Sequence, residues 1–278
     1  MAKLSPIRVI FLVVLSIMVV LWLLPIGVTF NTALKSREEA ADTYPWNLPQ
    51  HLALNENITF AWQKGMLGQS FAITLVYAAG GAIGAITLAS LAAYAMVQLR
   101  LKGSFGWFLL IYSGTIFPFQ MYLLPLFYFY QDTSMYDTQI GLLLFYIAIA
   151  IPFCLFVLRN HFTTISTEIL EAAKIDGLSN FGIYLQICMR LSIAPIAALF
   201  LFQFTWIWND LLFGITLAKS ADVRPIMAGL AGMRGIYASQ NTPGVLAGAL
   251  IASVPTALIF LFLHRYLLRG LTLTTSEE

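Results

Sequence analysis

An all-α integral membrane protein with six transmembrane helices is the fold class this sequence predicts, and three observations predict it. Hydrophobic residues make up 59% of the 278 and charged residues only 10%, whereas soluble proteins carry about a quarter charged residues. Six apolar runs, roughly 7–30, 70–97, 104–130, 138–158, 192–218 and 246–268, reach the ~20 residues that a spanning helix requires. The longer polar stretches lie between these runs, at 31–69, 159–191 and 219–245.

The first run follows Lys3 and Arg8, as a signal peptide would. Its apolar stretch continues past Leu24 without an Ala-x-Ala site, so it is expected to remain as an anchor helix. Residues 31–69 and 219–245 are rich in Pro, Gly, Asn and Trp and are expected to be ordered loops with short helices. Asn57-Ile58-Thr59 matches a glycosylation sequon, a pattern frequent by chance.

In the second run Gly81, Ala85, Ala89 and Ala93 recur every four residues, with Ala78, Ala82 and Ser90 beside them. Gly244, Gly248 and Ala252 repeat the spacing near the sixth run. Helices in lipid associate by close packing, so such residues mark a seam. The seam lies either within this chain or against a second subunit. Pro118, Pro125, Pro152 and Pro255 sit in or near apolar runs, where each removes a backbone donor and can kink its helix. Gln120, between Pro118 and Tyr122, is a candidate for lining a solute path or for a helix-to-helix hydrogen bond.

Between Arg159 and Arg190 the sequence writes two short helices joined at a glycine. Thr167 is placed to cap the first, Glu168 and Glu171 suit its positive start, and Lys174 suits its negative end. Gly177 permits the positive φ that stops a helix. Ser179 can cap a second helix whose Phe181, Tyr184 and Cys188 share a face, expected to lie against the bundle. The segment Glu171-Ala172-Ala173-Lys174-Ile175-Asp176-Gly177 has the build of a docking element, with small residues for close approach and carboxylates for basic partners. The other reading is an interfacial amphipathic helix without a partner. That helix would want more lysines and would have no use for paired alanines beside a terminating glycine.

In the fifth run Gln203, Trp206 and Asp210 fall on one helical face, with Asn209 beside them. A polar and aromatic stripe in a span is costly unless it faces protein or water. Amides, carboxylates and aromatic faces are what sugars bind. Counted at about 1.5 Å per residue from Ser192, Asp210 also falls near the membrane interface, where an aromatic belt is expected. Both readings stand.

Lysine and arginine counts set the direction. With the amino terminus inside, Lys3, Arg8, Arg100, Lys102, Arg159, Lys174, Arg190, Arg265 and Arg269 are cytoplasmic. Lys35, Arg37, Lys64, Lys219, Arg224 and Arg234 lie outside, nine against six. Both termini and the 159–191 loop are then cytoplasmic. The acidic cluster Glu38, Glu39 and Asp42 lies in an outer loop and does not count.

Composition excludes several functions. A formal charge of +2 with scattered cations argues against nucleic acid. Cys154 and Cys188 make no disulfide framework, and His51, His161 and His264 lack partners at metal-ligand spacing. No Gly-Lys dipeptide exists, which rules out a phosphate-cradling Walker loop. Neither a Gly-x-Ser-x-Gly elbow nor another catalytic set appears, so the chain is expected not to be an enzyme. It is expected to need no cofactor or metal of its own.

The 171–177 segment, with Ile187 following Gly177 after nine intervening residues, resembles the Glu-Ala-Ala loop of the membrane subunits of binding-protein-dependent ABC importers. Two positions on, Met189-Arg190 stands where that family usually has Leu-Pro. Ser90 to Leu99, Trp208-Asn209-Asp210-Leu211 and Arg265 to Thr272 extend the resemblance from the second run onward, to the shorter, maltose-type permease of the carbohydrate branch. The tail Thr274-Thr275-Ser276-Glu277-Glu278 departs from the small, lysine-containing tails of relatives.

The resemblance implies a type I ABC importer permease fold in a bacterial inner membrane. Residues 1–69 would form an anchor helix and outer loop, and 70–278 a five-helix core carrying the docking loop 159–191. Partners would be a second permease subunit, an ATP-binding subunit dimer that holds the ATP, and an extracytoplasmic solute-binding protein. Glu171, Ala172, Ala173, Lys174, Asp176, Gly177 and Ile187 would dock the ATPase, whose closure would drive alternating access for a carbohydrate. In the maltose-type complex the sugar site lies mostly on the longer permease, so this chain would line the path. A different class, an ion-coupled secondary transporter, would need ionisable groups near the midplane. Asp210 is the only acidic candidate in a proposed span.

Overall fold

A computed structural model describes residues 6–64 and 66–272, with side chains over 7–64 and 66–264. The expectations placed on Lys3, on the side chains of Arg265 and Arg269 and on the tail from Thr274 to Glu278 lie outside the described residues. Among the described residues every regular element is helical.

Four helices are long and apolar enough to cross a membrane: α1 (Pro6–Ala33), α4 (Leu67–Val97), α7 (Gln139–Thr163) and α14 (Thr242–Thr272). The short α2 (Arg37–Asp42) and α3 (Leu54–Thr59) lie between α1 and α4. The expected third and fifth spans are not straight helices. Ser104–Thr115, which contains α5 (Ser104–Tyr112), meets Phe119–Asp132, which contains α6 (Leu123–Asp132), at 90°. Asn180–Leu191 meets α11 (Ile193–Trp208) at 75°. Each pair is long and apolar enough for one span when taken together.

Proline chemistry accounts for both breaks. Phe117 precedes Pro118 and is disfavoured from helical backbone, and Pro118 itself is extended at φ −54°, ψ 128°. Pro195 stands in the first turn of α11, where a missing N–H costs nothing. Its ring would nevertheless clash with the Leu191 carbonyl in a continuous helix, and Ser192 at φ −96°, ψ 12° takes the bend. Pro152 and Pro255 are carried inside continuous helices.

The chain divides into two compact units, Met1–Gly68 with Gly229–Ser253, and Gln69–Ala228 with Val254–Glu278. In the first, α2 is capped by Ser36, whose hydroxyl accepts from the Glu39 N–H. The Lys35 side chain is buried, and its Nζ donates to Thr43 Oγ1 and the Tyr44 carbonyl at 3.0 and 2.7 Å. Asn57 is buried and donates to the carbonyls of Ala33 and Lys35, which removes the sequon from solvent. A Cβ on Gly244 or Gly248 would run into Phe60 or Leu67, so this small-residue row packs within its own unit.

The second unit decides the larger seam in the same way. Ala78, Ala82, Ala85, Ala89, Ser90 and Ala93 are completely buried inside this chain. A Cβ on Gly81 would come within 2.7 Å of Ile207, and one on Gly84 within 2.9 Å of Ile147. The stripe lets α4 approach α7 and α11 closely and is internal packing.

Candidate functional site

The 164–191 loop carries the predicted docking element, and local chemistry builds it. Helix α8 (Thr167–Ile175) starts at Ser166, whose hydroxyl accepts from the Glu168 N–H at 3.2 Å. Ser166, and not the expected Thr167, is therefore the cap, because its extended backbone frees the side chain to turn back. Glu168 lies in the first turn and Lys174 in the last, as the helix dipole favours. Gly177 adopts φ +85°. The Leu178 N–H reaches the Ala173 carbonyl and the Gly177 N–H the Lys174 carbonyl, both at 3.0 Å. These are the paired bonds of a Schellman stop.

The two alanines part company. Ala173 and Leu170 are buried in the core cluster of this unit, against which Leu178 also packs. Glu171, Ala172, Lys174 and Asp176 face outward. Ile175 is 86% exposed, and Ile169 is also exposed, so Ile169, Ala172 and Ile175 form an apolar stripe at three-residue steps, flanked by Glu171 and Asp176. Sequence reasoning missed the two isoleucines. The signal was there, since Ile175 stands three residues after Ala172 in a helix whose opposite face already carries its buried residues.

Ser179 caps the following helix α9 (Asn180–Ile183), accepting from the Gly182 N–H at 3.1 Å. A π-helical turn, Tyr184–Cys188, and α10 (Met189–Leu191) continue it. The expected face is corrected at one residue. Tyr184 and Cys188 are buried, but Phe181 is exposed and Ile183 takes the inward place. Phe181 precedes the π turn and stacks on the Tyr184 ring with centroids 5.9 Å apart, but it remains exposed. Ile187 packs against the core from its edge.

Hydrogen bonds tie this loop to α4. The Ser90 and Tyr184 hydroxyls lie 2.8 Å apart, and the Tyr94 hydroxyl donates to the Asn180 carbonyl at 2.8 Å. Just past α4, Gln98 Nε2 donates to the Phe162 carbonyl at the end of α7 at 2.9 Å. Beside α8 a cavity of 530 Å³ is lined by Gln98, Arg100, Thr167, Glu171 and Lys174 among others. Leu170 and Ala173 of α8 share one buried cluster with Ala89, Ala93 and Tyr94 of α4.

The predicted solute-path residues separate. Helix α11 ends at Trp208, so Asp210 is not on its face with Gln203 and Trp206. The Asp210 carboxylate is buried, accepting from the Tyr146 hydroxyl at 2.8 Å and the Gly214 N–H at 3.0 Å. From the residue before the N-cap Leu211, it receives N–H groups of the first turn of α12 (Leu212–Leu217). Asn209 is exposed and donates to the Thr205 carbonyl. Gln120 is exposed in the 3₁₀ turn after Pro118. Gln203 and Trp206 do come together, on a cavity of 350 Å³ that Thr115, Phe117, Phe119, Tyr122 and Phe202 help to line.

A second loop is pinned at Asp137, whose carboxylate accepts from the Lys219 and Ser220 N–H groups at 2.7 and 2.8 Å and from the Ser220 hydroxyl at 2.5 Å. Its partial burial pushes its pKa up, but these hydrogen bonds and the Lys219 charge outweigh that and hold it below the usual carboxylate value.

These features define a multi-pass, all-helical membrane protein that presents a capped polar helix on a loop between apolar segments. Residues 85–273 match the family described as binding-protein-dependent transport system inner membrane component, and the chain belongs to that family. It is a transport component and not an enzyme. The osmoprotective compounds uptake permease protein GgtD of Synechocystis is 30% identical over 90% of this chain and 86% of its own. The alpha-glucoside transport system permease protein AglG of Rhizobium meliloti is 32% identical over 74% of this chain and 55% of its own. The melibiose/raffinose/stachyose import permease protein MelC of Bacillus subtilis is 29% identical over 90% of this chain and 89% of its own.

Proposed function

We propose that this chain is a membrane-spanning subunit of an ATP-driven importer for a carbohydrate, and that α8 is its ATPase-docking helix. One observation carries the docking role: a helix capped at Ser166 and stopped at Gly177 buries Leu170 and Ala173 while presenting Ile169, Ala172 and Ile175 between carboxylates. An isoleucine that is 86% exposed on a polar loop gains by being covered, about 25 cal/mol per Å² of apolar area.

In this reading each bent pair is one span, giving six. Lysine and arginine placement puts both termini and the 164–191 loop on the cytoplasmic side. Residues 1–69 form the anchor helix and outer loop, and 70–278 the transporting core. Glu171, Ala172, Lys174 and Asp176 meet the ATPase, Ala173 and Gly177 shape the helix, and Ile187 seats the loop on the bundle. The partners are a second permease, two ATPase subunits that hold the ATP, and an extracytoplasmic solute-binding protein. The sugars in the names of AglG and MelC support a carbohydrate as cargo.

The first test is affinity purification of the tagged chain from native membranes in mild detergent, with mass spectrometry of the proteins that accompany it. An ATPase and a second permease are the expected companions. Recovery of the chain alone, in detergent that preserves known ABC complexes, would overturn the assignment.

A further inference from the structure

The 90° break at Pro118 leaves Gly114, Thr115, Phe117, Phe119 and Tyr122 on the wall of one 350 Å³ cavity, with Phe202, Gln203 and Trp206 of α11 contributing to the same wall. We propose that this cavity is a sugar subsite carried by this subunit itself, selective for a neutral pyranose ring over acyclic polyols and charged sugars. The proposal rests on the importer reading and narrows it.

Three features of the wall lead there. The aromatic rings stand at steep angles: Trp206 meets Phe119 at 88° with centroids 6.3 Å apart, and Tyr146 at 86° and 6.4 Å. Trp206 is therefore held in place by Phe119 on the cavity wall and by the buried Tyr146 behind it, and a fixed aromatic face is what covers the C–H side of a sugar ring. An acyclic polyol has no such side.

The second feature is polar. Gln203 is only 7% exposed, yet it lines this cavity. A hydrogen bond with the Cys154 thiol uses one of its positions, and the amide has further donors and an acceptor. An amide buried in a lipid-facing wall would be costly, whereas at a sugar site it meets hydroxyls. Tyr122 donates to the Gly114 carbonyl at 2.7 Å, which leaves its oxygen free to accept. A lipid tail would use none of these groups.

The third feature is the absence of charge: no Asp, Glu, Lys or Arg is among the residues lining the cavity. A sugar phosphate or uronate would lose its hydration there without gaining a counter-ion. The volume lies at the small end of the roughly 300–1,000 Å³ seen for ligand sites, which suits a single ring or a short glycoside.

The test uses the complete importer, with its partner permease, ATPase and binding protein, in proteoliposomes. The probes are radiolabelled maltose, trehalose, melibiose and raffinose, set against sorbitol and glycerol phosphate. Sugar uptake and binding-protein-stimulated ATP hydrolysis are read together. Uptake of at least one of the four glycosides is expected, with sorbitol and glycerol phosphate excluded.

Trp206→Ala and, separately, Phe119→Ala should lower the sugar moved per ATP by about three- to tenfold, the range expected for losing one aromatic contact. Stimulated ATP hydrolysis and co-purification of all subunits should persist, and Trp206→Phe should restore the coupling ratio. An unchanged ratio in both alanine variants, or preferential uptake of sorbitol or glycerol phosphate, would overturn the subsite and leave the importer standing. A complex without binding-protein-stimulated ATP hydrolysis would overturn the importer reading, and the subsite with it, whereas stimulated hydrolysis with none of the four glycosides moved would overturn the subsite alone.

Discussion

The two bent pairs of the second unit, 90° at residues 116–118 and 75° at Ser192, show how one device serves two ends. Both are made by proline. At the first, the freed residues stay exposed and apolar: Phe117, Phe119 and Met121 find little cover inside the chain. At the second, the residues on one side of the bend are drawn into the core, where Ile183, Tyr184 and Cys188 are buried and hydrogen bonds run to α4. The first bend opens a wall, and the second fastens a loop. What differs is whether the neighbouring helix offers small residues to pack against, as α4 does with Ala85, Ala89 and Ala93.

The largest effect is expected at α8, beside the fastened bend, where the proposed ATPase contact would lie. Gly177→Asp and Glu171→Lys should abolish transport and binding-protein-stimulated ATP hydrolysis while membrane insertion, followed by fractionation, is unchanged. Nothing lies within 4 Å of where a Gly177 Cβ would stand, so backbone strain at φ +85°, about 1–2 kcal/mol, is the local cost. Gly177→Asn, which tolerates that region, should therefore retain more activity than Gly177→Asp. Equal loss in both would count against the geometric role.

Next in size is the packing that holds this bend. Ala89→Leu adds bulk at a site with no exposed surface and should destabilise by about 1–3 kcal/mol, read as a lower melting temperature in detergent. Ala172→Leu, on the exposed face of α8, should leave the melting temperature alone and reduce ATPase coupling. Reversed outcomes would mean that the assignment of inner and outer faces is wrong.

A smaller loss, about 1 kcal/mol, is expected for Tyr184→Phe or Ser90→Ala. In a double-mutant cycle by thermal unfolding, the pair should cost no more than the larger single change if the two hydroxyls bond only to each other. Ser90 also donates to Thr87, so Ser90→Ala should be the costlier of the two.

The smallest effect tests the other bend, whose following turn is latched by Asp137. The Asp137 pKa is lowered in the folded chain, so its contribution is present above the ordinary carboxylate value, near 4. That contribution is lost as pH falls through the lower folded value. The unmutated protein should lose stability in that acidic window relative to Asp137→Asn, and the two melting curves should converge below it. Parallel curves would deny the carboxylate this role.

Much of α8 was legible before any coordinates. Carboxylates at its start, a lysine at its end and a glycine stop are local chemistry, readable at one-residue resolution apart from the shift of the cap from Thr167 to Ser166. The solute-path residues were half legible. Gln203 and Trp206 share a cavity as three-residue spacing predicts, but the helix ends at Trp208 and sends Asp210 inward to Tyr146 and Gly214. Periodicity assumes the helix continues, whereas Asn209 directly after Trp208 is a stop signal that face-counting passes over. Phe181 does stack on Tyr184 as three-residue spacing predicts, but spacing does not say whether the bundle reaches far enough to cover it, and it stays exposed.

The sequence alone determined that this chain is a helical membrane protein, where its apolar runs lie and, to within one residue, where α8 starts and stops. These follow from composition, the thickness of a bilayer and hydrogen bonds within a few residues. Only the tertiary structure decided which of two alanines faces outward, that the small residues of α4 pack inside the subunit, and that Pro118 and Pro195 turn spans into bends while Pro152 and Pro255 do not. Those outcomes depend on which surfaces meet across long stretches of chain, and close packing settles them by shape that no local pattern encodes.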